Sequence, residues 1–95
     1  MPTLTPQRIE ERLASVPGWT LVAGNAIEKR FSFGSFKEAI SFVVRVAFHA
    51  EEADHHPDIA ISYKHVTLTF STHSERGLTE KDFAGAQTID RISWV

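Results

Sequence analysis

The side chains best suited to chemistry lie in Asp54-His55-His56-Pro57 and, further on, at His73, so three of the five histidines fall in two short segments. Imidazole titrates nearer neutrality than any other side chain, which suits it to proton transfer, and it is also a common metal ligand. Glu51 stands four residues before His55. On a helix that persists to His55 the two share a face, and the carboxylate would fix that imidazole's tautomer. Spacing leaves three readings open. The first is a trio of acid/base groups with a carboxylate orienter. The second has His55 and His56 capping free carbonyls at a helix end. The third is a three-histidine zinc site. Adjacent histidines are awkwardly placed to chelate one ion, and the chain has no helical His-x-x-x-His pair, so no metal is expected.

Helix and strand signals show how these residues are carried. Thr5 and Pro6 open a first helix with Ile9, Leu13 and Val16 as its stripe, and Pro17-Gly18 stops it. Trp19 and Leu21, the Gly24-Asn25 turn, and Ile27, Lys29, Phe31 and Phe33 describe a hairpin, with Trp19 in the core. Lys29 interrupts the apolar side of that second strand, as a snorkelling lysine can. Ser35 and Glu38 form a capping box for a long helix. Its stripe reads Phe36, Ile40, Val43, Ala47 and Ala50, with further apolar residues at Phe42, Val44, Val46 and Phe48. That is wider than one buried face, so the excess belongs either to the core or to a contact with another subunit.

Pro57 bounds this helix, which is expected to end near Asp54 or His55. Ile59, Ile61 and Tyr63 alternate as one strand, and Val66, Leu68 and Phe70 as the next, with His65, Thr67, Thr69, Ser71 and His73 on its other face. Lys64 and its neighbours form the tight turn between them, and His65 reads as a turn residue. Antiparallel pairing returns the chain to its start, which brings His73 towards His55 and His56. Thr79 to Asp82 caps a last helix with Phe83, Ala86 and Ile89 as its stripe. Asp82 reads as a helix cap and His49 as an exposed or partly buried helix residue. The order α-β-β-α-β-β-α gives an α+β domain spanning residues 1–95, a four-stranded, mainly antiparallel sheet with helices packed on one face.

Composition narrows the function. The net charge is −2 and no basic block occurs, which argues against dedicated nucleic-acid binding. With no cysteine there is neither a thiolate metal site nor a cysteine nucleophile. No apolar run is long enough to span a bilayer, and the N-terminus does not read as a signal peptide, so a cytoplasmic location is the expectation.

Taken in order, Glu51-x-x-x-His55-His56-Pro57, Tyr63, His73 and Asp82 resemble the signature of pterin-4a-carbinolamine dehydratases. Pro17-Gly18-Trp19, Phe31-Ser32-Phe33, Arg45-Val46-Ala47, Ser71-Thr72-His73 and Gly77-Leu78-Thr79 extend the resemblance over roughly residues 4 to 92. The resemblance implies an enzyme, 4a-hydroxytetrahydrobiopterin dehydratase. It would convert 4a-hydroxytetrahydropterin to quinonoid dihydropterin plus water, downstream of aromatic amino-acid hydroxylases. It implies His55, His56 and His73 as catalytic residues, Pro57, Thr72, Ser74 and Glu75 beside them in the pterin site, and Glu51 and Asp82 as supporting carboxylates. No cofactor is implied, and a homodimer or homotetramer is. Relatives of this kind also bind transcription-factor dimers, so the alternative is a non-enzymatic protein-interaction or regulatory module.

Overall fold

In the computed structural model, which describes residues 3–93, the chain forms three helices and a four-stranded antiparallel sheet. The elements are α1 (Pro6–Leu13), β1 (Thr20–Val22), β2 (Ala26–Ser32), α2 (Phe36–Ala53), β3 (Asp58–Ser62), β4 (His65–Phe70) and α3 (Glu80–Ile92), with a 3₁₀ turn at His73–Glu75. The sheet order is β1-β2-β4-β3. All three helices start where the sequence places them, because Thr5, Ser35 and Thr79 each accept a backbone N–H with their side-chain oxygen. The first helix is shorter than expected. It ends at Leu13, and Val16 enters the core from the following turn.

Register decides which residues share a face. Leu68 of β4 lies opposite Lys29 of β2 and Ile59 of β3, and Val66 lies opposite Phe31 and Ile61. The helices cover this side. Ile27, Phe31, Val66, Leu68 and Phe70 meet Phe42, Val46, Phe83, Ala86 and Ile89 there in one core. Thr67 and Thr69 alternate with the buried residues of β4. Lys29 keeps its place on the apolar side through an ion pair with Asp90 (2.9 Å) and a position 5.0 Å over the Phe31 ring. Asp90 also accepts from the Trp19 indole N–H, so the buried ring has its polar atom satisfied.

Two details differ from the sequence reading. The buried stripe of α2 is Ala39, Phe42, Val46 and Ala50; Phe36 and Phe48 are 52% and 73% exposed. The helix is apolar over more than half its circumference, so periodicity fixed its existence but not its rotation. His65 is the first residue of β4 rather than a turn residue, and its Nδ1 is 2.8 Å from the Ser32 hydroxyl across the ladder. The turn itself is Tyr63-Lys64, with Tyr63 at φ 53°, a conformation that hairpins usually give to glycine or asparagine.

Arg12 ties α1 to the start of α3 through a bidentate pair with Glu80, at 2.7 and 2.8 Å. The hydrogen bond from Arg12, reinforced by its charge, holds the Glu80 carboxyl below its ordinary value against an opposing desolvation. A lowered carboxylate pKa contributes stability that is present above the unfolded-state value, about 4.3, and lost as pH falls through the folded-state value. Glu80→Gln should therefore lower the urea midpoint modestly at pH 7. The difference from the wild type should shrink as the titration is repeated below the unfolded-state value and vanish once pH has fallen through the folded-state one.

Candidate functional site

The site is built where α2 stops. Ala53 is the last helical residue, and Asp54 turns into the left-handed region (φ 52°, ψ 41°) with its N–H on the Ala50 and Glu51 carbonyls. Aspartate tolerates this conformation better than most residues. The chain then leaves the helix axis, and His55 stays tied to α2 only by its backbone N–H on the Ala50 carbonyl (3.1 Å). His55 is thus outside the helix, and the helical i, i+4 pairing with Glu51 does not form. Glu51 bonds instead to His56 Nε2, at 2.5 Å, in a pair whose side chains are 76% and 54% exposed.

The carboxylate that holds His55 is Asp82. Its Oδ1 lies 2.7 Å from His55 Nε2, with the His55 side chain 13% exposed and Asp82 fully buried. Its Oδ2 accepts the Thr72 hydroxyl (2.8 Å) and the Thr79 backbone N–H (2.9 Å). Thr72 has donated its only hydroxyl proton, so the Thr79 hydroxyl donates to Thr72 Oγ1 across 2.8 Å. Asp82 closes the capping box of α3 and orients His55 at the same time, one task for each oxygen. An ionised carboxylate can only accept, so the bond to Asp82 Oδ1 calls for the His55 tautomer with its proton on Nε2. Nδ1 is left as the nitrogen able to take a proton.

The other expected site residues lie at the open end of the β3–β4 hairpin. Asp58 pairs with Thr69, so the segment entering β3 and the segment leaving β4 lie at one end of the sheet. His55, His56 and a buried Pro57 lie on the entering segment; Ser71, Thr72 and His73 lie on the leaving one. His73 is not on a strand face as its alternation suggested. β4 ends at Phe70, and His73, Ser74 and Glu75 form an exposed 3₁₀ turn closed by the Thr72–Gly77 bridge. Thr72 is buried, with its hydroxyl on Asp82. Ser71 donates to the Asn25 carbonyl. His49 is exposed on α2.

Two residues at this site escaped the sequence reading. The Phe70 ring lies parallel to the His55 imidazole, 5.8 Å between centroids and 10° between planes. Gly85 on α3 lies against the Phe70 ring. A cavity of about 130 Å³ opens beside them between α2 and α3, lined in part by Ala50, Ala53, His55, Phe70 and Gly85. Phe70 could be found only as one more apolar strand residue, and a glycine inside a helical pattern is the one available signal for Gly85. Among the described residues no cluster of three or more His, Cys, Asp or Glu side chains is placed to hold a metal ion.

Comparison with known proteins gives a consistent result. Residues 2–92 match the profile of the family described as pterin 4 alpha carbinolamine dehydratase. A Herpetosiphon aurantiacus protein named "Putative pterin-4-alpha-carbinolamine dehydratase" is 50% identical over 92 residues, covering 97% of this chain and 95% of its own. A Roseiflexus castenholzii protein of the same name is 55% identical over 89 residues, covering 94% and 95%. Among solved structures, a transcriptional coactivator/pterin dehydratase from Brucella melitensis superposes with a TM-score of 0.91 at 38% identity, over 96% of this chain and 98% of that one. A pterin dehydratase-like protein identified as a RuBisCO assembly factor in the alpha-carboxysome gives 0.70 at 26% identity, over 81% and 90%.

The Asp82 network makes a direct prediction. Thr72→Val keeps the shape but withdraws one donor from a buried carboxylate and leaves the Thr79 hydroxyl without its acceptor. Chemical denaturation should show a loss of about 1–3 kcal/mol.

Proposed function

The chain belongs to the pterin 4 alpha carbinolamine dehydratase family, and on that premise we propose that it dehydrates 4a-hydroxytetrahydropterin to quinonoid dihydropterin. The C4a–oxygen bond breaks as the N5 lone pair forms the C4a–N5 double bond. The hydroxyl leaves as water with a proton from a general acid, and a general base takes the proton from N5. The step is redox-neutral, so it calls for no oxidant or reductant. Imidazoles can fill both roles.

The observation that carries this reading is the His55–Asp82 pair, a nearly buried imidazole held in one tautomer by a fully buried carboxylate. A histidine merely capping a helix end needs no such restraint. His55, His56 and His73 are the proposed catalytic residues. Pro57, Thr72, Ser74 and Glu75 are proposed beside them in the pterin site, where backbone groups would read the flat heterocycle. Glu51 and Asp82 serve as the supporting carboxylates of His56 and His55. The substrate would come from aromatic amino-acid hydroxylation, and the product would return to the tetrahydrobiopterin pool, in the cytoplasm. No described helix is long and apolar enough to cross a membrane.

The decisive measurement is the dehydration of synthetic 4a-hydroxytetrahydropterin, followed by absorbance. The wild type should exceed the spontaneous rate. His55→Ala, His56→Ala and His73→Ala should each lose about 10²- to 10⁴-fold in kcat, the range expected for a positioned acid or base. A wild type no faster than the spontaneous reaction removes the enzyme reading. Three variants matching the wild type remove the site assignment.

A second feature supports self-association. Val44 and Phe48 on α2 are 49% and 73% exposed, and Ile59 and Ile61, on the helix-covered side of edge strand β3, are 40% and 42% exposed. An apolar surface of this kind, beside an unpaired strand edge, suits another protein chain. We take the first occupant to be a second copy, giving the homodimer or homotetramer. An interaction or regulatory module would use the same surface for a foreign partner. Light scattering should give a dimer or tetramer mass for the wild type and a smaller mass for Phe48→Glu. A monomeric wild type would leave the surface to a foreign partner.

A further inference from the structure

The bond to Asp82 fixes the Nε2 end of the His55 ring, while the ring plane is set by rotation about the Cβ–Cγ bond, which one hydrogen bond alone restrains weakly. The direction of Nδ1, the nitrogen that would exchange protons, depends on that rotation. A second restraint is present. Phe70 lies parallel to the imidazole at 5.8 Å, a separation typical of offset aromatic pairs. Phe70 is 2% exposed and has its own support, because Gly85 presents bare backbone to its ring. A Cβ added at Gly85 would lie 2.8 Å from Phe70 Cε1 and Cζ, closer than side chains pack. Apart from proline, glycine is the poorest helix former, yet Gly85 sits inside α3. It stands three positions after Asp82, so both lie on one helix face.

We propose that Phe70 and Gly85 are positioning residues for His55: Asp82 sets the Nε2 end of the ring, and the Gly85-seated Phe70 sets its plane. One helix face thereby supplies both restraints. The significance for catalysis rests on the proposed dehydratase reading; the restraint on the ring does not.

Gly85→Ala and Phe70→Leu test the pair, alone and combined. Alanine favours the helix, and the displaced ring can move into the adjoining cavity, so the Gly85→Ala protein is expected to fold. Its kcat should fall about 10- to 100-fold, the scale of an ångström-sized misplacement, with KM nearly unchanged because substrate contacts remain. Crystal structures of the substrate-free proteins should show the His55 ring parallel to Phe70 in the wild type and turned about its Cβ–Cγ bond in Gly85→Ala. Phe70→Leu should reproduce both changes, and adding Gly85→Ala to it should cost nothing further, since the leucine presents no ring to displace. Unchanged kcat and an unchanged His55 ring plane in Gly85→Ala would overturn the proposal, as would effects of the two substitutions that simply add. If the wild type shows no dehydratase rate, the proposed function fails, and the His55 ring plane alone decides whether these residues position His55.

Discussion

A carboxylate cannot be carried into a protein interior without partners, and the site is organised around that requirement at Asp82. Burying an unpaired charge costs several kcal/mol even after relaxation. Asp82 is fully buried and meets the cost with bonds from His55, Thr72 and Thr79. These donors come from the exit of α2, the exit of β4 and the entrance of α3. The charge therefore fastens together the three chain ends that form the site. Withdrawing any one donor leaves the buried charge with two and weakens the tie between two of those chain ends, so the bonds act as a network.

The same residue shows what a sequence can and cannot disclose. Thr79 and Asp82 are spaced as a capping box, and the box forms. Capping needs one carboxylate oxygen, and the other is free for a distant partner. Which residue arrives there depends on how α2 ends. Glu51, four residues from His55, is the natural partner if the helix continues. Asp54 adopts a left-handed conformation instead, and the exchange follows: His55 goes to Asp82 and His56 to Glu51. Local spacing says nothing of that one backbone rotation.

Element types and order were legible because caps, prolines and alternation are local signals. The rotation of α2 was not. Its apolar residues cover both the face towards the sheet and the face beside it, and only packing chooses Ala39, Phe42 and Val46 for the core. The surplus that blurred the pattern is itself informative, since it leaves Val44 and Phe48 uncovered, as Ile59 and Ile61 are on β3. His65 differs for another reason: a tight turn of Lys64 and its neighbours leaves its bounds open, and they are set by Tyr63 accepting a positive φ.

The two adjacent histidines are physically unlike, and this bears on how they would divide the proposed reaction. His55 is nearly enclosed, bonded to a buried carboxylate and stacked on a buried ring. Its direction is set before any substrate arrives, as preorganised catalysis requires. His56 pairs with a carboxylate that is mostly in water, where such a pair contributes little and is readily exchanged. A ring held that weakly can turn to follow a hydroxyl as it departs. On these grounds His55 would act on the proton whose position the bound heterocycle fixes, at N5. His56 would act on the leaving group, whose position changes during the step. His73, on the exposed 3₁₀ turn after β4, would join them from the same end of the sheet.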